Sequence, residues 1–181
     1  MALTKEENDL LCLVENGAPM GEMIRQHYWL PAVPSVKLEA DGAPIRIRLL
    51  GTNLIAFRAT DGSVGVLDEK CPHRKASLAL ARNEDNGLRC IYHGWKFNVK
   101  GEVIEAPNHT GNQEQFCKHV RTNRYTAVDR GGIVWVWLGK GRHHSPICRS
   151  WIYPPIRDRS PASRCPQTGC KVLRRQWTLH M

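Results

Sequence analysis

The chain of 181 residues is 41% hydrophobic and 24% charged, which fits a globular protein with a core and excludes a disordered or fibrous one. Its net charge of +9 would suit a nucleic-acid partner, but residues 142–181 alone supply +7 of it, and the first 141 residues hold 18 basic against 16 acidic groups. No helical charge face, RNA-binding aromatic motif or zinc-finger spacing organises that charge, so no nucleic-acid partner is expected, and without a run of roughly 20 apolar residues no membrane span is expected.

The N-terminus, MALTKEENDLL, has no basic region followed by an apolar one, so a soluble, cytoplasmic setting is expected. Disulfides are rare there, and the seven cysteines read first as thiols or metal ligands. Thr4 and Glu7 form a capping-box pattern, with Leu10, Leu11 and Val14 at helical spacing behind them. This predicts a helix over about 4–16, ended by Gly17 and Pro19. A second helical piece, GEMIRQHYWL, stops at Pro31. The texture then changes to short strands: PIRIRLL (44–50), NLIAFRA (53–59) and VGVLDE (64–69), with a TDGS hairpin turn at 60–63. LRCIYH, WKFNV and EVIEA follow around a Lys100–Gly101 turn. RYTAV (124–128) and GGIVWVWLG (131–139) close the series as a hairpin.

Within the strands sit two short segments, CPHRKASL from residue 71 and CIYHGWKF from residue 90. Each supplies one Cys and one His: Cys71 and His73, then Cys90 and His93. A common zinc finger groups its cysteines in one segment and its histidines in another. A [2Fe–2S] centre with two thiolates on one iron and two imidazoles on the other is served by two loops that each bring one of each. Pro72 stiffens the first loop, and Gly94 lets backbone approach closely. Ser77 and Tyr92 are expected to offer hydroxyl hydrogen bonds near the sulfurs, and Trp95 and Phe97 to shield one side from water.

These residues resemble the cluster motif of Rieske aromatic-ring oxygenases, and the resemblance runs from TKEENDLL through PMGEMIRQHYWLPA to GGIVWVWLG. It looks closest to the oxygenase component of the phthalate 4,5-dioxygenase type. The resemblance implies that Cys71 and Cys90 hold one iron and His73 and His93 the other. It implies a mainly β fold, an antiparallel Rieske-type sandwich, with a helical extension over 1–30, the cluster domain over 31–141 and an irregular basic tail over 142–181. It also implies an electron-donating reductase or ferredoxin as partner, ultimately fed by NAD(P)H, and a homotrimer in full-length relatives. Lys75 departs from the pattern, since many relatives have glycine there. Respiratory Rieske proteins carry an extra Cys in each loop, and this chain has none, which favours the oxygenase or ferredoxin branch.

Full-length oxygenases of this kind hold a mononuclear Fe(II) on two His and a carboxylate in a second domain. The tail offers His143, His144, His180 and Asp158 without the spacing of such a site. Its five prolines and scattered arginines lack a period, apart from a short helical piece in KVLRRQWTLHM, and the break near residue 141 reads as out-of-frame translation. The expectation is therefore the electron-transfer part of an oxygenase without its catalytic part. The alternatives are a stand-alone ferredoxin-like carrier and a zinc-stabilised binding module. Elsewhere Cys12 is expected in a core, His27 packed near a helix end, and Trp135 and Trp137 in a core or an interface. Cys117 with His119, Cys165 with Cys170, and Cys148 are not expected to bind metal.

Overall fold

The computed structural model describes residues 3–139, so the expectations for the tail, including Cys148, Cys165 and Cys170, lie outside the described residues. Antiparallel β structure dominates. The strands are β1 (Trp29–Pro34), β2 (Ile45–Leu49), β3 (Thr52–Arg58), β4 (Val64–Asp68), β5 (Arg82–Glu84), β6 (Gly87–Arg89), β7 (Lys96–Phe97), β8 (Val103–Glu105), β9 (Arg124–Arg130) and β10 (Ile133–Trp137). They form a six-stranded sheet in the order β1-β10-β9-β4-β3-β2 and a four-stranded sheet in the order β5-β6-β7-β8.

Period-two alternation builds the cores. On β3, Leu54 and Ala56 join Val66, Val134 and Val136 in one core. Ile55 and Phe57 point the other way and meet Leu88, Phe97 and Val103 of the smaller sheet in a second core. Both faces of β3 are thus buried, which is why its sequence, TNLIAFR, reads as a near-continuous apolar run. Gly65 on β4 makes room for Phe57: a Cβ there would lie 2.6 Å from the ring's Cε1. The β3–β4 hairpin closes at Ala59–Ser63, where Asp61 accepts from the Ser63 amide and hydroxyl.

The N-terminal elements differ from expectation. The capping box at Thr4 and Glu7 is present, but helix α1 (Lys5–Cys12) ends four residues early and buries none of its residues. Leu10 and Leu11 are exposed, and so is Cys12, which was expected in a core. Helix α2 (Pro19–His27) also stops short, and His27 is exposed at its last turn rather than packed. Trp29–Pro34, expected partly as helix, is strand β1 on the sheet edge beside β10, where prolines need donate no ladder bond. Arg25 ties α2 to the β2–β3 turn through Nη2, which donates to Leu50 O and Thr52 Oγ1 at 3.1 Å each. Trp137 is buried and donates to the Gln26 carbonyl at 3.0 Å, while Trp135 is half-buried on the same face.

Candidate metal centre

The two Cys–His segments form two loops of matching backbone geometry. In the first, the Cys71 amide donates to Ala76 O at 2.8 Å and the Lys75 amide returns to Cys71 O at 2.9 Å. In the second, the Cys90 amide donates to Trp95 O at 2.8 Å and the Gly94 amide returns to Cys90 O at 3.0 Å. The residue four past each Cys is left-handed, Lys75 at φ 58° and Gly94 at φ 73°. Lys75 therefore takes up a conformation that suits glycine, and the loop keeps its shape despite the side chain. The first loop leaves β4 in the larger sheet, and the second joins β6 to β7 in the smaller one.

The loops bring all four predicted side chains together in two tiers. Cys71 and Cys90 lie deep, each 2% exposed, with their sulfurs within hydrogen-bonding reach of each other. His73 and His93 are only half-buried, with ring centroids 4.6 Å apart at 63°. His73 stacks on Trp95 at 4.5 Å and 3°. Trp95 is fixed in turn by donating Nε1 to Asn108 Oδ1 at 2.7 Å and by the edge of Phe116 at 5.2 Å. Burial pushes the Cys71 thiol up to about 11, against the opposing pull of backbone amides at His73 and Arg74 that donate to its sulfur. His73 is held below the ordinary imidazole value first by burial, then by the charges of His93 and Arg74.

Each loop has a polar anchor behind it. Ser77 donates to buried Glu69 at 2.7 Å, and Arg46 reaches both, Nε at 2.8 Å from Glu69 Oε1 and Nη2 at 3.2 Å from Ser77 Oγ. The Ser77 hydroxyl is thus engaged by Glu69 rather than lying near a sulfur as expected. Tyr92 differs in the same way: it is exposed, and its contribution is a ring packed 3.9 Å from His93. Behind the second loop, Arg89 donates Nη1 to the Gly94 carbonyl at 3.1 Å, Nε to Glu84 and Nη2 to Glu105 at 2.7 Å. Buried Lys96 lies 3.4 Å from Glu105. Sequence reasoning missed Glu69, Arg89 and Asn108. The first two stand within two residues of a predicted ligand, and that proximity is the only sequence signal they carry.

The donor set fits a two-iron cluster better than a single ion. Tetrahedral zinc draws four donors to one point. Among the described residues no three His, Cys, Asp or Glu side chains converge in that way. Two thiols inside and two imidazoles outside instead form two pairs, as soft and borderline donors serving two irons require. The backbone amides aimed at the Cys71 sulfur match what a thiolate ligand accepts. Cys117 and His119 lie apart on helix α3 (Gln113–His119): Cys117 packs against the core, and His119 Nδ1 lies 2.7 Å from Gln115 O.

Comparison with known proteins agrees. Residues 28–126 match the family model described as Rieske [2Fe-2S] domain. The chain is 48% identical to the 3-chlorobenzoate-3,4-dioxygenase oxygenase subunit of Comamonas testosteroni, an alignment covering 77% of this chain and 32% of that protein. It is 49% identical to the phthalate 4,5-dioxygenase oxygenase subunit of Pseudomonas putida, covering 76% and 31%. It thus spans about a third of the length of these curated relatives. Among solved structures, dicamba monooxygenase with non-heme iron and dicamba superposes with a TM-score of 0.57 at 28% identity, over 64% of this chain and 34% of that one.

Proposed function

The chain belongs to the Rieske [2Fe-2S] domain family, and from that premise we propose that it is the electron-carrying part of an aromatic-ring-hydroxylating oxygenase component. Cys71 and Cys90 would hold the inner iron and His73 and His93 the outer one. A bound [2Fe–2S] cluster supplies a one-electron redox centre. The observation that carries this reading is the pair of matched loops, which sets two buried thiols beneath two outward imidazoles.

The chain's own residues divide the work. Burial around Cys71 and Cys90 keeps water from the sulfurs, and the His73 and Arg74 amides stabilise sulfur charge. Trp95 locks the His73 ring plane by stacking, and Asn108 locks Trp95. Arg89 and the Glu69–Ser77 pair fix the two loops from behind. The half-buried imidazole edges are the shortest way in for an electron, so His73 and His93 form the proposed port. The donor would be a reductase or ferredoxin. The acceptor would be a non-heme iron of the kind named for the dicamba monooxygenase structure, in a homotrimer where relatives are full length.

Anaerobic purification followed by iron, acid-labile sulfide and zinc analysis, with EPR of the dithionite-reduced sample, tests this. Two irons and two sulfides per chain with a low-average-g signal are expected. Stoichiometric zinc without sulfide would overturn it.

A further inference from the structure

The sequence holds two Asn–Gly steps, Asn16–Gly17 in LVENGAP and Asn86–Gly87 in NEDNGLR, each preceded by an acid. Such a step is chemically labile. Glycine has no side chain to obstruct the approach, so its backbone nitrogen can reach the asparagine Cγ and close a five-membered ring. Both asparagines stand at turns in the left-handed region, Asn16 at φ 56° and Asn86 at φ 57°. The sequence makes the two steps alike, and the structure separates them.

Asn86 is held in place. Its Oδ1 accepts from the Asp61 amide at 2.8 Å, and its own amide donates to Thr60 Oγ1 at 2.9 Å. Gly87 is buried as the first residue of β6 and pairs with Glu84 across the hairpin. It lies so tightly against Lys96 that a Cβ would stand 2.8 Å from the Lys96 Cε. Asn16 and Gly17, by contrast, are both exposed at the centre of a type I′ turn, which the Ala18 amide closes by donating to Glu15 O at 3.1 Å. Among the described residues neither the Asn16 side chain nor the Gly17 amide makes a hydrogen bond. A Cβ on Gly17 would meet nothing within 4 Å. This turn also ties down the N-terminal helix. Glu15 pairs with Arg48 of β2 at 2.7 Å and packs beside Gly51, and Gly21 of α2 lies against the Val14 carbonyl with no room for a Cβ. Helix α1 is 8 residues long and buries none of them, and a helix that short does not persist unaided.

We propose that Asn16 is a site of spontaneous modification and that its product releases α1 from the sheet. The Gly17 nitrogen bonds to Asn16 Cγ, the Cγ–Nδ2 bond breaks, and Nδ2 takes up the Gly17 proton and leaves as ammonia. Water then adds to either carbonyl of the resulting succinimide and opens the ring, giving aspartate or isoaspartate. Neither an oxidant nor a reductant takes part. In the isoaspartyl chain the backbone runs through Cβ and is longer by a methylene, so the Ala18 amide no longer falls on Glu15 O. The new carboxylate stands beside Glu15 and competes for Arg48. Both changes strike the turn that ties α1. The isoaspartyl carboxylate is also the methyl acceptor of repair enzymes that use S-adenosylmethionine, which gives the site a partner of defined chemistry.

The full chain is aged for a week at mildly alkaline pH, beside a portion kept unfolded in guanidinium. Peptides from both are read by mass spectrometry with electron-transfer fragmentation, which tells isoaspartate from aspartate. In the folded chain, conversion at residue 16 should exceed conversion at residue 86 at least tenfold. In guanidinium the two should agree within threefold. Equal rates in the folded chain, or the same tenfold gap in guanidinium, would overturn the proposal. The isoaspartyl fraction, separated by ion exchange, should accept methyl groups from a protein-isoaspartate methyltransferase. It should also exchange backbone amides over residues 5–12 and at Ala18 at least fivefold faster than fresh protein. Aged Asn16→Gln should do neither. Fresh Asn16→Asp carries the charge without the longer backbone and should exchange less than twofold faster. Unchanged exchange in the isoaspartyl fraction, or equal quickening in Asn16→Asp, would sink the release of α1.

Discussion

At the scale of single residues, Lys75 and Arg89 do opposite work on the two Cys–His loops. Lys75 strains its loop, so Lys75→Gly should stabilise the chain by about 1 kcal/mol, read as a higher urea midpoint. Arg89 relieves its loop by satisfying the Gly94 carbonyl and two carboxylates. Arg89→Ala leaves the Gly94 carbonyl without its donor, and leaves Glu105 with Lys96 alone, and should cost about 2 kcal/mol in chemical unfolding. The same guanidinium, by hydrogen bonding, holds Glu84 and Glu105 below the ordinary carboxylate value of 4.5, against the smaller opposing effect of burial. Lowered folded values mean this stability is complete above pH 4.5 and is lost as pH falls through them. Melting temperature should therefore drop on acidification below about pH 4.5, and more shallowly in Glu105→Gln. The four proposed ligands were legible because Cys-x-His and Cys-x2-His are spacings in sequence. Arg89, Glu69 and Asn108 were not, because their meaning lies in hydrogen bonds across turns that no local spacing encodes.

At the scale of elements, legibility followed the strength of the local signal. The β2, β3 and β4 strands and the β9–β10 pair were readable from alternation and Gly-bearing turns, and the structure pairs them antiparallel. The β5–β6 hairpin was missed although Asp85 and Asn86 stand at its turn with φ 48° and 57°, ahead of Gly87. Its strands are only three residues long, too short for alternation to register. Helix α3 was missed too, although Asn112 caps it by accepting from the Gln115 amide at 3.0 Å. The end of α2 was misplaced because Tyr28, Trp29 and Leu30 are apolar enough to extend a helical stripe, whereas Tyr28 caps the helix and pairing with β10 claims Trp29 and Leu30. Helix α1 buries nothing, so its cap secures only itself. Thr4→Ala should speed amide exchange over residues 5–12 and leave the global unfolding midpoint unchanged.

At the scale of the whole molecule, one core binds the two sheets together, and Phe57 stands at its centre. Phe57→Ala should cost about 3–5 kcal/mol in chemical unfolding. Gly65→Ala should destabilise through the opposite fault, by driving a methyl group into the Phe57 ring. The pair should not be additive, because the truncated ring leaves space for the added methyl, and a double-mutant cycle would reveal the coupling.

The two Cys–His loops are rooted in different sheets. Whatever four-handed ligand they grip is also a rivet through the molecule, closing a covalent ring across the seam between its halves. Such a clamp acts on the unfolded chain as a disulfide does, by denying it freedom, and its grip follows the supply of its components by mass action. Chelated protein should melt well below loaded protein. In a cell short of iron or sulfide, scarcity would then be felt first as instability, and the amount of folded protein would become a gauge of how much of either remained.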